Sequence, residues 1–148
     1  MVKFEDLKNV VREPNIVELK PWQSIHDTIT APMITALSRD IPGSNLAMGF
    51  AHVTKPESLG GASHKHPFDQ WIYLIGESKN FIDFDADIEM ELDKKAYKIN
   101  YPCYIFVPGG MYHCPLVVKR VGKPLIFIDV RYMGKKSAGG KAGIKKLD

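Results

Sequence analysis

A short segment at residues 60–70 decides the fold of this chain, and it reads GGASHKHPFDQ. The segment places His64 and His66 one residue apart, and side chains two positions apart on an extended strand point to the same face of a sheet. Two imidazoles on one face can bind a single metal ion. Gln70 has the same parity as the histidines, so its amide oxygen can reach the same side. The segment therefore predicts one part of a metal site on a β-strand.

A second segment, PGGMYH at residues 108–113, supplies a third histidine. Its turn residues can return the chain toward the first segment and bring His113 beside the pair. A neutral imidazole is a good ligand for divalent iron, manganese, nickel, copper or zinc, and three of them leave coordination positions for water or substrate. A His-x-His pair alone is as often a surface feature of a strand, so the second segment is what favours a metal site.

The rest of the chain from Asn45 onward has short apolar or alternating runs separated by turn residues, which is typical of β-strands. Many short strands with almost no helical pattern predict a β-sandwich or β-barrel. The predicted strands are Leu46–Val53, Gln70–Ile75, Ile88–Leu92, Tyr104–Val107, Leu116–Val118 and Leu125–Val130.

The two ends of the chain have a different character. Residues Lys3–Arg12 predict a short helix, and four prolines between residues 14 and 42 then break the chain too often for a long one. Residues 134–148 hold five lysines and one aspartate and predict a flexible, solvated basic tail. The predicted organisation is an N-terminal extension over residues 1–45, a barrel over residues 46–133 and a tail over residues 134–148.

The composition excludes several classes of function. Hydrophobic residues make up 45% and charged residues 25% of the 148 positions, which is usual for a globular protein. The net charge of +3 resides in the tail, so the body has no basic face for nucleic acid. No apolar run is long enough to cross a membrane, and two cysteines, Cys103 and Cys114, fit a reducing compartment. We expect a cytoplasmic protein.

The two histidine segments resemble the two sequence motifs of the cupin superfamily. In the first cupin motif a His-x-His pair is followed after three or four residues by Glu, and the second contains Pro-x-Gly-x-x-His. Both occur here in order, and with their flanking strands they span roughly Leu46 to Arg131. The resemblance implies an all-β double-stranded β-helix, or jelly-roll barrel. It also implies one divalent transition metal, held by His64, His66, Gln70 and His113.

The sequence departs from the cupin pattern at three positions. Gln70 stands where the first motif has Glu, so an anionic ligand is replaced by a neutral amide, which weakens manganese and favours softer metals. Asp69 is the alternative ligand, because a bend at Pro67 could change which side chain points inward. Pro102 and Val117 replace the Gly and Asn that usually begin and end the second motif.

Other groups are candidates for the same site. His52 shares one strand face with Met48 and Phe50, so it is predicted to line the cavity as a catalytic acid or base, with a core histidine as the alternative. Cys114 follows His113 directly and is expected to point the opposite way, as a buried small apolar residue. Possible polar contacts are Trp71, Tyr73, Tyr112 and Arg131.

The resemblance implies a metal-dependent enzyme acting on a small organic molecule, either a keto or enol acid or a phenolic chelator. Its chemistry would be Lewis-acid or O2-dependent. The alternative is a non-catalytic small-molecule-binding cupin, a sensor or carbohydrate-binding barrel with a structural metal or none. Cupins commonly dimerise through terminal strands, so residues 13–45 predict a homodimer arm. Whether a second subunit contributes a residue to the site stays open.

Overall fold

The structure is a computed structural model that describes residues 9–21, 29–37, 40–41, 43–77 and 79–133. Over these residues the chain forms strands and turns and has no helix, which confirms the predicted all-β class. None of its elements is a helix of the length and hydropathy that crossing a membrane requires. The strands are β1 Val10–Glu13, β2 Ile16–Glu18, β3 Met33–Ala36, β4 Leu46–Val53, β5 Glu57–Ser58, β6 Asp69–Gly76, β7 Ala86–Leu92, β8 Lys95–Ile99, β9 Cys103–Val107, β10 His113–Val121 and β11 Leu125–Tyr132.

Two antiparallel sheets pack face to face and enclose the core. One has five strands in the order β3-β4-β11-β6-β9, and the other has four in the order β5-β10-β7-β8. Strands β1 and β2 form a separate hairpin. The core contains the inward-facing apolar side chains of both sheets, among them Val53, Leu74, Met90, Leu116 and Leu125. Burying such side chains is the main source of stability in a barrel of this kind.

Strand β11 lies at the centre of the five-stranded sheet and aligns the residues that matter for the site. It pairs along its whole length with β4 on one side and β6 on the other. Arg131 is thereby opposite both Ala47 and Gln70, and Asp129 is opposite both Gly49 and Ile72. Because side chains alternate between the faces of a strand, Asp129 and Arg131 point to the same, inner face.

The six predicted strands all occur, and Leu46–Val53 has the predicted bounds. The prediction of a helix at Lys3–Arg12 is wrong for Val10–Arg12, because these residues belong to strand β1. Residues 3–8 of the predicted helix lie outside the described residues. The tail at residues 134–148 also lies outside them. The division at residue 45 stays a prediction, although β3, which precedes it, hydrogen-bonds to β4 as part of the five-stranded sheet.

Candidate metal centre

Two loops, one from each predicted motif, are joined by backbone hydrogen bonds at one end of the barrel. His64 and His113 form an isolated antiparallel bridge, in which each N–H donates to the carbonyl of the other, at 3.0 and 2.9 Å. The N–H of Gly110 donates to the carbonyl of His66 at 2.8 Å. Gly109 packs so closely on Pro67 that an added Cβ would lie 2.7 Å from its carbonyl oxygen. The loops therefore fix each other's positions, and with them the positions of the histidines.

The rings of the three predicted ligands form one cluster. The ring centroid of His113 lies 4.5 Å from that of His64 and 4.6 Å from that of His66, and the His64 and His66 centroids are 5.7 Å apart. His66 and His113 are buried, while His64 is partly exposed. On its other side the His66 ring stacks on Phe68, with the centroids 3.9 Å apart and the planes within 9° of parallel. The bridge and this stacking hold the rings without any ion.

Each ring is also oriented by a hydrogen bond from its Nδ1 atom to a backbone carbonyl. His64 bonds to Ala62 at 2.8 Å, His113 to Met111 at 3.0 Å and His66 to Phe68 at 3.4 Å. A carbonyl only accepts, so Nδ1 carries the hydrogen and Nε2 carries the lone pair of the neutral ring. Metal-binding histidines are typically oriented in this way by an outer hydrogen bond.

The lone pairs of two of these rings have no partner. Nε2 of His66 and Nε2 of His113 are buried and make no hydrogen bond to any described residue. Burial is the main cause that lowers the pKa of His66 to about 4, and the neighbouring His113 contributes second. Burial likewise lowers the pKa of His113. Both rings are therefore neutral at neutral pH, which is the state that binds a metal.

Gln70 presents its amide to the same interior. Its side chain is buried, and its Nε2 lies 2.6 Å from Oδ1 of Asp129. A carboxylate only accepts hydrogen bonds, so the amide nitrogen must face Asp129 and the amide oxygen must face away from it. Oε1 of Gln70 has no hydrogen-bond partner among the described residues. Asp129 thus orients a neutral oxygen donor inside the barrel.

Asp69, the alternative ligand, has a different contact. Its Oδ1 accepts a hydrogen bond from the N–H of Gly109 at 2.9 Å, so the carboxylate joins the first loop to the second. The bend at Pro67 leaves Gln70, rather than Asp69, as the buried residue of this pair. The geometry therefore favours Gln70, as strand parity predicts.

Arg131 is the one residue of the four possible polar contacts that points into the barrel. Its side chain is 6% exposed, and its Nε lies 3.3 Å from Oδ2 of Asp129 in a geometry that makes no hydrogen bond. Its positive charge also reaches His66, where it is a minor cause of the lowered pKa. Trp71 and Tyr73 instead alternate to the outer face of β6, and Tyr112 is exposed.

The placement predicted for His52 is wrong. His52 does share a face of β4 with Met48 and Phe50, but the buried residues of that strand are the alternate ones, from Ala47 to Val53. Its side chain is 47% exposed on the outer face and contacts Glu77 through Nε2. His52 therefore does not line the interior with the three clustered histidines.

Cys114 lies closer to the cluster than expected. A ligand atom of His64, one of His113 and the sulfur of Cys114 lie within 4.8 Å of one another. The expectation that Cys114 points the opposite way is wrong, because its φ of 73° and a register shift after His113 break the strand alternation. It is nevertheless buried against Gly60, and burial raises the pKa of the thiol to about 12.

The donor set fits a divalent transition metal of intermediate softness. Two buried imidazole nitrogens and a buried amide oxygen lack partners, and a third imidazole adjoins them. Buried polar atoms in folded proteins are nearly always paired, so buried acceptors without a partner are suited to bind a cation. Nitrogen-rich, neutral donors suit iron, nickel, copper or zinc better than magnesium or calcium.

Three solved structures are similar to this chain. The plu4264 protein from Photorhabdus luminescens is 10% identical, with 88% of this chain and 98% of that chain covered and a TM-score of 0.51. Rru_A2000 from Rhodospirillum rubrum, a cupin-2 domain, is 9% identical over 85% and 75%, with a TM-score of 0.51. The cupin domain of Cnp3 from Schizosaccharomyces pombe is 9% identical over 84% and 73%, with a TM-score of 0.50.

These likenesses concern the fold. No protein-family profile and no curated protein matches the chain. The chain has the jelly-roll β-barrel of the cupins, which confirms the fold that its two motifs imply.

Proposed function

We propose that this chain is a metal-dependent cupin enzyme that acts on a small organic molecule inside the barrel. The ligands we assign are His64, His66, Gln70 and His113. The observation that supports the proposal is that Nε2 of His66 and Nε2 of His113, on rings whose centroids lie 4.6 Å apart, are buried acceptors without a hydrogen-bond partner among the described residues. A bound divalent metal would supply Lewis acidity or, if it is iron, O2 chemistry.

The chain's own residues would position and enclose a substrate. Backbone carbonyls hold the three rings, Asp129 holds the amide of Gln70, and the two loops hold each other. The apolar interior, from Ile72 to Val107, would exclude water from the site. Preorganised donors in a low-dielectric interior act more strongly on a substrate than the same groups in water.

Metal analysis tests the proposal. Protein purified without an affinity tag or added metal should contain close to one iron, nickel, copper, manganese or zinc per chain by elemental mass spectrometry. The double variant His64→Ala/His66→Ala should lose it, whereas His52→Ala, a histidine on the outer face, should retain it. A chain that takes up no metal even after reconstitution would refute the metal-dependent enzyme.

A non-catalytic binding barrel is the second candidate, and the position of His52 favours it. With His52 outside, the only acidic or basic side chains identified in the interior beside the rings, among the described residues, are Asp129 and Arg131. Asp129 accepts a hydrogen bond from the amide of Gln70, and Arg131 lies beside Asp129. A small carboxylate or phenol that raises the melting temperature of the metal-loaded protein without being consumed would support this candidate over the enzyme.

We further propose that the protein is a cytoplasmic homodimer. Its two cysteines are free thiols, as is usual in a reducing compartment. The hairpin of β1 and β2 leaves Val11 and Ile16 more than half exposed, and a lone two-stranded hairpin is marginally stable in water. Packing this hairpin on a second copy would bury those side chains. A monomer by light scattering at micromolar concentration would refute the dimer.

A further inference from the structure

One unpartnered atom in the barrel interior cannot be explained by a metal. Besides the three acceptors already described, Nε of Arg131 is buried without a hydrogen bond to any described residue. Nε is a donor and carries part of a positive charge, so a cation cannot satisfy it. A buried charged donor without a hydrogen bond costs more free energy than a neutral one. Among the unpartnered atoms of the interior, Nε of Arg131 would therefore gain most from binding a ligand.

Asp129 lies beside Arg131, but the Nε donor of Arg131 has no hydrogen-bond partner among the described residues. It lies opposite Gln70 in the register of β6 and β11 and beside Asp129 on its own strand. The carboxylate of Asp129 is committed to the amide of Gln70 through Oδ1, and only its Oδ2 faces Arg131. A guanidinium has five N–H donors, and the Nε donor of this one makes no hydrogen bond to a described residue. This buried donor can therefore bind an anion.

The inner face of the sheet has a second polar atom without a partner. Gly49 is opposite Asp129 on β4, and Thr35 is opposite Gly49 on β3. The hydroxyl of Thr35 is buried and makes no hydrogen bond to a described residue.

We propose that Arg131 is the anion-binding residue of the barrel interior and that it binds the carboxylate of a small 2-oxo or 2-hydroxy acid. The proposal rests on the proposed function for the metal end of that ligand. Three neutral imidazoles and an amide leave the charge of a divalent ion uncompensated, while Asp129 and Arg131 compensate each other. A carboxylate bound to the guanidinium would offset one of the two positive charges of the ion and would supply an acceptor for the orphaned donor.

Oxamate and oxamide are a matched pair of probes for this site. They have the same shape, and only oxamate carries a carboxylate, so their affinity difference reports recognition of the charge. Calorimetric titration of the metal-loaded wild type should show a preference for oxamate. Part of that preference arises from the metal itself, and comparison with variants separates the two contributions.

The variant that isolates the contribution of Arg131 replaces both residues of the buried ion pair. Asp129→Asn/Arg131→Met keeps an acceptor for the amide of Gln70 and leaves no unpaired charge, so we expect it to fold, and its metal content is measured so that oxamate affinity is compared at equal metal occupancy. Its preference for oxamate should fall by about 10- to 100-fold, the range for losing a charge-assisted hydrogen bond. Arg131→Lys keeps the charge but not the fork and should lose less.

The outcomes separate this proposal from the one on which it rests. An unchanged oxamate preference in both variants, with normal metal content, would overturn the role of Arg131 and leave the metal centre intact. If the wild type binds no metal, the proposed function fails. The same titrations on metal-free protein then test whether Arg131 binds a carboxylate. A preference that the wild type shows and the double variant lacks would then support it, and no preference would overturn it.

Discussion

The two faces of the five-stranded sheet carry polar pairs of similar composition in opposite surroundings. On the inner face the side chains of Arg131 and Asp129 are 6% and 15% exposed. On the outer face those of His52 and Glu77 are 47% and 33% exposed. Both pairs combine a nitrogen-containing side chain with a carboxylate; the inner pair lies within β11, whereas His52 is on β4 and Glu77 follows β6.

The difference shows how burial converts a common side chain into a candidate functional group. Water can satisfy every polar atom that the outer pair leaves unpaired, so that pair needs no further partner. The inner pair has little such access, and its Nε, like the buried Nε2 atoms of His66 and His113, has no hydrogen-bond partner among the described residues, which is why we propose a ligand there. The comparison can be tested by removing one member of each pair.

The largest expected effect on stability is from Arg131→Met. The substitution leaves Asp129 as an uncompensated buried charge, which typically costs about 3–5 kcal/mol of unfolding free energy. The matched change on the outer face, Glu77→Gln, should cost less than about 1 kcal/mol. Urea unfolding of metal-free protein, followed by circular dichroism, measures both. Equal effects from the two variants would show that the inner pair is as well solvated as the outer one.

The next effect concerns metal affinity and compares two histidines. His113→Ala removes a buried, oriented imidazole and should weaken binding of zinc by more than about 100-fold, since loss of an outer-sphere partner alone costs 10- to 100-fold. His52→Ala should leave the affinity unchanged. Competition with a chromophoric chelator measures both constants. Metal retained in the His113 variant would contradict the ligand set.

The histidine cluster can be predicted from the sequence because the residues that indicate it lie in two short segments. Turn residues before His113 return the second loop to the first, and the three rings lie together as predicted. The predicted strand at His64–His66 is wrong, because both residues lie in a loop before β6, where strand alternation does not apply. The same alternation says which residues share a face but not which face is buried. Residues on both faces of β4 are apolar, so the placement of His52 could not be decided before the sheets were assembled.

Two other features depend on tertiary structure. Asp129 interrupts an apolar run, and nothing local shows that its partners are Gln70 on another strand and Arg131 on its own. The parity that it shares with Arg131 is the only signal in the sequence. The position of Cys114 depends on a positive φ at a non-glycine residue, which strand alternation does not predict.

A smaller effect is expected from Gln70→Glu, which restores the residue usual in the first cupin motif. The new carboxylate would face Oδ1 of Asp129, where the amide nitrogen now lies at 2.6 Å, and two carboxylates in contact share a proton. The raised pKa of the variant's carboxyl pair means that stability is present at low pH and is lost as the pH rises. We expect the metal-free variant to lose about 1–3 kcal/mol relative to wild type at neutral pH and less at about pH 5.

The double variant Gln70→Glu/Asp129→Asn is the control for this explanation. An asparagine can donate a hydrogen bond to the new carboxylate, so stability at neutral pH should return to nearly the wild-type value. The added anionic ligand should also bind divalent metal, manganese included, more tightly than the wild type does. If the single variant is as stable as wild type at every pH, the contact between Gln70 and Asp129 does not orient the amide.

The smallest effect on the metal is expected from Cys114→Ala, although the sulfur lies beside His64 and His113. Burial raises the pKa of this thiol to about 12 in the metal-free protein, so sulfur must lose a proton before it binds a metal, whereas the neutral imidazoles and the amide oxygen need lose none. We expect unchanged zinc affinity and a loss of stability of about 1 kcal/mol from the small cavity next to Gly60. Cobalt-loaded wild type should lack a thiolate-to-metal charge-transfer band. Such a band, lost in the variant, would place sulfur among the ligands and make the inner face of the barrel a thiolate site.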